Sequence, residues 1–461
     1  MQEIVFSLNG RTETITDVDP HTTLLGYLRA RGLTGAKEGC AEGECGACAV
    51  IVVDRDAQGG ARFEAVNACL VLLATVADAE IWTVEGIGKS DALHPVQRAL
   101  AEAGGSQCGY CTPGFVIALF ANAHRAPQRD VAEALSGNLC RCTGYRPIRD
   151  AARALPLLVD DDRFARRLLQ PAPTLSALEY TSHDVAFDRP TRLEDALFLR
   201  ARDPEARVVA GGTDVVAQLN QEGTRHERFI SLEAIAELRT MSEEGDTLVL
   251  GAGLTLGDIE ERVGPRVPLL AAMMPFFASP LIRARATLAG NLATASPIGD
   301  AAPALLALDA EVELASIRGR RRVAMHRFFA GYRQTVLEPD ELIVAVHVPV
   351  RQPRHARFFK VSKRVLDDIS AVAAAFAFDV EDGVVTRARL AYGGVAPTPL
   401  RAVDAEKLAI GAPFDARLVD LVRPLLERAF TPISDVRASA AYRQAMVLRL
   451  FERFTAECAA P

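Results

Sequence analysis

Residues 40–48 read CAEGECGAC, which puts three cysteines into nine residues with glycine and acid between them. Three thiolates rarely complete a metal site, so a fourth ligand is needed, and the next cysteine along the chain is Cys69. The remaining cysteines are Cys108, Cys111, Cys140, Cys142 and the outlier Cys458. Eight of the nine therefore lie in the first third, and the 315 residues after Cys142 hold none.

The chain has 461 residues, too many for a single ordinary core, and three or four domains is the prior expectation. Hydrophobic residues make up 49%, enough for every domain to be globular. The net charge of −7, from 52 basic and 59 acidic residues, argues against a nucleic-acid surface. No apolar run approaches the ~18 residues of a membrane span. The opening MQEIVFSLNG lacks the basic-then-apolar profile of a signal peptide. A cytoplasmic location is expected. In a large cytoplasmic chain nine cysteines point to metal or redox work rather than disulfides.

Cys40, Cys45 and Cys48 follow C-x4-C-x2-C with Cys69 beyond, the plant-type [2Fe–2S] spacing. A loop that wraps three thiolates around one inorganic core must turn sharply and approach the sulfides. Gly39, Gly43 and Gly46 permit this, because glycine tolerates positive φ. Backbone N–H groups can then point at the sulfurs and help set the potential. The flanks agree. EIVFSLNGRTETIT reads as strand, Asn-Gly turn, strand; TTLLGYLRARG as a helix ending in glycine; ACAVIVVD and IWTVEGI as further strands. Together these predict a β-grasp-like α+β unit.

The second group pairs differently. Cys108 and Cys111 form C-x2-C in GSQCGYCTPG, and Cys140 and Cys142 form C-x-C in GNLCRCTGYRPI. Both sit at the ends of helical segments: HPVQRALAEAG, PGFVIALFANAH, DVAEALSG and RPIRDAARALPLL. Four short helices with a thiolate pair at each of two turns can hold another four-thiolate cluster. Structural zinc is the alternative, although C-x-C is awkward for a closed tetrahedral site. Cys69 alone could be a buried inert thiol, and Cys458 reads best that way.

Taken in order, C-x4-C-x2-C…C and then C-x2-C…C-R-C-T-G-Y resembles the iron–sulfur part of the molybdenum hydroxylases, the xanthine dehydrogenase family. The match covers residues 1 to about 160. The resemblance implies that Cys40, Cys45, Cys48 and Cys69 bind one [2Fe–2S] cluster and Cys108, Cys111, Cys140 and Cys142 the other. It places the second cluster nearer a molybdenum centre and Gln107 beside molybdopterin; read alone, Gln107 is an ordinary loop amide.

After a proline-rich linker, RVVAGGTDVVAQLN reads as a buried strand, a Gly211-Gly212 turn and a new element. Such a turn lets N–H groups approach a phosphate. TLVLGAGLTLGDIE repeats the theme but is no clean GxGxxG, since position 256 is Leu. In ATLAGNLATASPIGDAAPALLALDAEVEL, small and hydroxyl residues crowd around Gly290, Asn291, Thr294, Ser296 and Asp300, which suits a pyrophosphate with a carboxylate on sugar hydroxyls; a polar loop before a helix is the plainer reading.

These stretches resemble the FAD-binding domain of the same family. The cofactor residues this implies are Val208, Val209, Ala210, Gly211, Gly212, Thr213 and Asp214. Phe277 is placed by the isoalloxazine, Thr287, Leu288, Ala289, Gly290 and Asn291 around the diphosphate, and Asp300 on hydroxyls. Ile343 and Lys360 complete the set, with Asp367 near the ring. Without the resemblance, Phe277 is a core aromatic and Lys360 a solvated charge. AYGGVAPTPLRA, from Tyr392, falls to the small C-terminal flavoprotein domain, and AYRQAMVLRLFERF reads as its amphipathic closing helix.

The expected architecture is α+β and multidomain. It comprises a β-grasp [2Fe–2S] ferredoxin domain (1–86), a four-helix [2Fe–2S] domain (87–160), a linker (161–179), a PCMH-type α/β FAD-binding domain (180–350) and a small α+β C-terminal flavoprotein domain (351–461). The resemblance implies the small subunit of a purine-oxidising enzyme that turns hypoxanthine into xanthine and xanthine into urate. A separate large subunit carries molybdopterin, NAD⁺ is the final acceptor, and the assembly is a dimer of heterodimers (α2β2). No general base is expected in this chain, because the cofactors do the chemistry. Two other readings stand beside this one: the same module serving an aldehyde oxidoreductase, and a non-catalytic redox or zinc–flavin protein.

Overall fold

The computed structural model describes residues 3–56, 59–158 and 162–458. The expected domain limits at 1, 160, 161 and 461 fall outside them. The chain divides into two compact units. The first is Met1–Ala236 with Thr255–Asp258 and Ala278–Ala286; the second is Glu237–Leu254, Ile259–Phe277 and Thr287–Pro461.

The first unit opens with a five-stranded sheet in the order Arg11–Ile15, Ile4–Leu8, Glu80–Trp82, Ala49–Arg55, Ala61–Asn67. The Asn9-Gly10 turn, with φ of 52° and 76°, makes the first hairpin as expected. Thr23 caps the helix Leu24–Ala30 by accepting the Gly26 N–H, and the helix buries Leu24, Leu25 and Leu28. IWTVEGI is a strand only as far as Trp82. Asn9 Oδ1 accepts the Thr83 N–H at 2.8 Å and its Nδ2 donates to the Thr83 hydroxyl at 3.0 Å, so pairing stops and a short helix, Val84–Ile87, follows.

Both faces of this sheet are buried. Ile51, Val53, Phe63 and Trp82 pack on an all-helical core with Val96, Leu100, Phe115, Phe120, Ile148 and Phe164. That core comes from the helices Pro95–Glu102, Thr112–Ala123, Val131–Ala134 and Arg146–Ala154, each overlapping a segment read as helical. The expected linker holds another helix, Arg163–Leu168. Asp162 caps it by accepting the Phe164 and Ala165 N–H groups at 2.8 and 2.6 Å, and Phe164 anchors it in the helical core.

On the other face, Ile4, Phe6 and Leu8 share one apolar core with Leu178, Tyr180, Phe187, Val209, Val216 and Phe229. Val216 lies on the helix Thr213–Glu222 and the other five in a four-stranded sheet ordered Leu178–Ser182, Val185–Arg189, Arg228–Ser231, Arg207–Val209. Its last three strands run parallel, with the helices Leu193–Arg202 and Thr213–Glu222 as crossovers. The stretch expected as one FAD domain therefore contributes to both units, because its first sheet completes the core of the ferredoxin-like part.

The second unit contains an antiparallel sheet ordered Met241–Glu244, Thr247–Gly251, Leu342–Pro349, Glu311–Ser316, Gly319–Ala324. A further antiparallel sheet runs His355–Val361, Val372–Glu381, Val384–Gly393, Leu400–Arg401. The closing helix Ala440–Cys458 packs Phe451 and Phe454 against Phe376 and Phe378. Tyr392 lies fully buried in the third strand, its hydroxyl donating to the Val447 carbonyl at 3.0 Å. Among the described residues no helix is long and apolar enough to cross a membrane.

Candidate metal and cofactor sites

The register of the strands Ala49–Arg55 and Ala61–Asn67, with Ala49 opposite Asn67, sets Cys48 beside Cys69; their sulfurs are 3.3 Å apart and both residues are buried. Asn67 ties this pair to the loop by donating to the Gly43 carbonyl at 2.9 Å. Gly43 and Gly46 have φ of 88° and 66°, and a Cβ on Gly46 would sit 2.3 Å from the Gly137 carbonyl. Gly39 is required for a different reason, since its Cβ would meet the Cys45 sulfur at 2.9 Å.

Cys40 and Cys45 form the second pair of this set. The hydrogen bond from Cys45 pulls the Cys40 thiol down to about 5, helped by the N–H groups of Glu42, Cys45 and Glu44, and the same contact pushes Cys45 well up. Cys48 is likewise lowered by the bond from Cys69, which raises Cys69 in turn. Side-by-side thiolates repel, so one proton stays in each pair. These four cysteines would hold a metal centre as thiolates, and binding one would release those protons.

The second set is built alike at helix ends. Cys108 shares a thiol bond with Cys142, and Cys111 with Cys140. The Tyr110 N–H and then Cys142 lower Cys108; burial and then Cys140 raise Cys111 to about 12. Burial opposes ionisation of Cys140, yet the Thr143 hydroxyl at 3.1 Å and N–H at 3.5 Å leave it lowered. Tyr145 accepts the Cys140 N–H at 2.9 Å. Thr143 and Tyr145 are thus site residues that spacing alone did not single out, although both lie in the quoted CRCTGY. Cys108, Cys142 and Gln107 are exposed.

The pairing discriminates between metals. Four thiolates on one zinc lie about 3.8 Å from one another, given Zn–S bonds of ~2.3 Å. Among the described residues no three cysteine sulfurs lie within 4.8 Å of one another. Two-plus-two pairing with N–H donors aimed at sulfur fits two bridged irons, each taking two thiolates. The two sets also touch: the Leu139 N–H donates to the Cys45 carbonyl at 3.0 Å.

Among the described residues His94, His124 and Asp162 do have metal-like spacing, with ligand atoms within 4.8 Å. His94 and Asp162 are engaged by hydrogen bonds within the helical part, while His124 Nε2 has no hydrogen-bond partner among the described residues. His94 Nδ1 accepts the Val96 N–H at 3.3 Å, so its proton sits on Nε2, facing Asp162 at 3.3 Å, and no lone pair is left there for a metal.

In the first unit Val208 and Val209 end a strand and Ala210, Gly211 and Gly212 turn into the helix Thr213–Glu222. A Cβ on Gly211 would lie 1.7 Å from the Arg285 carbonyl, so only glycine fits. Asp214, exposed in the first turn, accepts from Gln218 at 3.0 Å.

In the second unit Thr287 caps the helix Leu288–Ala293 by accepting the Gly290 N–H at 2.9 Å. Asn291 Oδ1 is buried with no hydrogen-bond partner among the described residues, an orphaned acceptor that a bound ligand's hydroxyl or N–H would satisfy. Lys360 is no solvated charge: its side chain is 2% exposed, and its ammonium donates to Asp300 Oδ2 at 2.7 Å and the Phe276 carbonyl at 2.8 Å. Asp300, expected to take sugar hydroxyls, already accepts from Lys360 and, through Oδ1, from Ser370 at 2.5 Å. Burial raises its carboxyl, and the Lys360 and Ser370 contacts pull the other way. Phe277 is buried next to the carbonyl that Lys360 holds. Ile343 is a core strand residue opposite Leu314, and Asp367 is buried with φ of 51°.

Four family models match in sequence: a 2Fe-2S iron-sulfur cluster binding domain (6–74), a [2Fe-2S] binding domain (83–153), the FAD binding domain in molybdopterin dehydrogenase (183–351) and the CO dehydrogenase flavoprotein C-terminal domain (357–458). A xanthine dehydrogenase from Drosophila subobscura is 35% identical over 97% of this chain and 38% of its own length; one from Emericella nidulans is 33% identical over 98% and 38%. The chain thus spans about 38% of the length of these curated relatives. Among solved structures, a carbon monoxide dehydrogenase from Hydrogenophaga pseudoflava that lacks the Mo-pyranopterin moiety of its cofactor matches with TM-score 0.56 and 29% identity. That match covers 58% of this chain and 94% of that one. Quinoline 2-oxidoreductase from Pseudomonas putida 86 matches with TM-score 0.56 and 26% identity, over 60% and 96%. Fold and site therefore define a protein with two [2Fe–2S]-binding domains and an FAD-binding domain. It belongs to the molybdenum hydroxylase family, homologous to the N-terminal part of the xanthine dehydrogenases and to the carbon monoxide dehydrogenases.

Proposed function

We propose that this chain is the electron-transfer part of a purine-oxidising molybdenum hydroxylase, works in the cytoplasm with a large molybdopterin-binding subunit, and delivers electrons to NAD⁺. Cys40, Cys45, Cys48 and Cys69 hold one [2Fe–2S] cluster and Cys108, Cys111, Cys140 and Cys142 the other. The FAD-holding residues are Val208–Asp214 in the first unit and, in the second, Phe277, Thr287–Asn291, Asp300, Ile343 and Lys360, with Asp300 fixing Lys360. When bound, the clusters carry single electrons and FAD pairs them for hydride transfer.

The observation that carries this reading is the two-and-two pairing of all eight sulfurs. The chain's own residues position and insulate: backbone N–H groups steady the thiolates, and the helix Thr213–Glu222 runs from the Gly211-Gly212 turn to the first cysteine loop. Ten residues of helix put those ends about 15 Å apart. The exposed Cys108 and Cys142 leave one edge of the second set open to a partner. The match of 58% of this chain to nearly a whole carbon monoxide dehydrogenase chain supports flavin and molybdenum parts on different polypeptides. Identity with xanthine dehydrogenases supports purine over aldehyde substrates.

Two measurements test this. Anaerobic purification with its partner should give about four iron and four acid-labile sulfide per chain; zinc in their place overturns the cluster reading. The complex should reduce NAD⁺ with hypoxanthine or xanthine. Turnover with aldehydes but not purines moves the chain to the aldehyde oxidoreductase reading.

A further inference from the structure

The helix Thr213–Glu222 ends on the first cysteine loop, and two polar side chains of its last turn, Asn220 and Gln221, grip backbone carbonyls there. Asn220 Nδ2 donates to the Ala41 carbonyl at 2.8 Å and to the Cys69 carbonyl at 2.8 Å. Gln221 Nε2 donates to the Cys40 carbonyl at 3.0 Å. An amide NH₂ has two hydrogens, so Asn220 spends its full donor capacity joining two ligand-bearing segments.

A trans peptide points its C=O and N–H in opposite directions. The peptide whose carbonyl Asn220 holds is Ala41–Glu42, and its N–H belongs to Glu42. That N–H is one of the backbone donors, with those of Cys45 and Glu44, that lower the Cys40 thiol. Ala41 itself has φ of 58°, a left-handed conformation that a non-glycine residue keeps only when its surroundings hold it. Asn220 grips the outer end of the same peptide whose inner end meets the ligand sulfur.

We infer that Asn220, assisted by Gln221, is a positioning residue that locks the Ala41–Glu42 peptide with its N–H on Cys40 and thereby raises the reduction potential of the first cluster. This rests on the assignment of Cys40, Cys45, Cys48 and Cys69 to a [2Fe–2S] cluster. An N–H donor drains charge from a ligand sulfur and favours the reduced, more negative state. The cluster on the flavin side of the relay is then tuned by a helix that starts at the Gly211-Gly212 turn, far away in sequence.

The test is a redox titration of the purified complex followed by electron paramagnetic resonance, with iron and acid-labile sulfide measured first. Asn220→Ala should keep full iron and sulfide yet move the midpoint of one of the two iron–sulfur signals downward. The expected shift is about tenfold in the oxidised-to-reduced ratio, ~59 mV for a one-electron couple. Asn220→Asp, which puts a carboxylate against two carbonyl oxygens, should move the same signal further. Gln221→Ala should move it less, and the other signal should stay put in all three. Fully loaded variants with unmoved midpoints, or with both signals moved equally, overturn this inference and leave the cluster assignment standing. Wild-type protein without iron overturns the assignment itself.

Discussion

Replacing Lys360 with methionine keeps the apolar stem and removes the ammonium. Asp300 then loses the donor on Oδ2 and the Phe276 carbonyl loses the Lys360 ammonium, inside a region where Asp300 is 8% exposed. Removing one partner of a buried pair costs about 3–5 kcal/mol. A second route gives a ceiling. The stranded carboxylate takes a proton, and protonating a group of ordinary pKa ~3.9 at pH 7 costs about 4 kcal/mol, at ~1.4 kcal/mol per unit. At pH 5 the same arithmetic allows only about 1.5 kcal/mol. Without Lys360 the folded-state pKa of Asp300 rises further above its unfolded value. The variant's deficit is therefore largest at neutral pH and shrinks as pH falls toward 4. Urea unfolding of wild type and Lys360→Met at pH 7 and pH 5 reads this directly. Adding Asp300→Asn should recover part of the loss at pH 7, because the buried charge is gone. A deficit equal at both pH values, or a double variant no better than the single one, refutes the reasoning.

Cys69→Ala should halve both iron and acid-labile sulfide and abolish one paramagnetic signal, leaving the other intact; loss of both would show the sets to be interdependent. Gly211→Ala drives a methyl into the Arg285 carbonyl, which as backbone cannot swing aside. A loss of about 1–3 kcal/mol is expected on urea unfolding, together with a lower flavin-to-protein ratio by absorbance. Asp162→Ala removes a helix cap, costing about 1 kcal/mol. It also removes a contact that raises His94, whose ring burial already holds below its ordinary value. A folded histidine with a depressed value loses stability as pH falls below ~6.5, so the deficit against wild type should be greater at pH 5.5 than at pH 8 in thermal melts.

The eight cysteines and the four helices around Cys108–Cys142 were legible because ligand spacing and helical periodicity are local. What was not legible depends on contacts remote in sequence. The helix Arg163–Leu168 hides in a proline-rich stretch and is recognisable only once Phe164 is seen in the helical core. The end of the strand at Trp82 is set by Asn9, 74 residues earlier. Asp300 reads as a ligand for hydroxyls until Lys360, 60 residues on, occupies it. Asn220 carries no local signal at all, since its partner Ala41 is 179 residues away.

The interior that Phe6 and Leu8 share with Tyr180, Phe187 and Phe229 bears on any attempt to take the molecule apart. A cut between the iron-carrying stretch and the glycine turn follows the primary structure but splits that interior in half. Each fragment then presents a greasy wall to water, and made separately both should aggregate. Made together in one cell, the two pieces have a ready-made seam along which to reassociate.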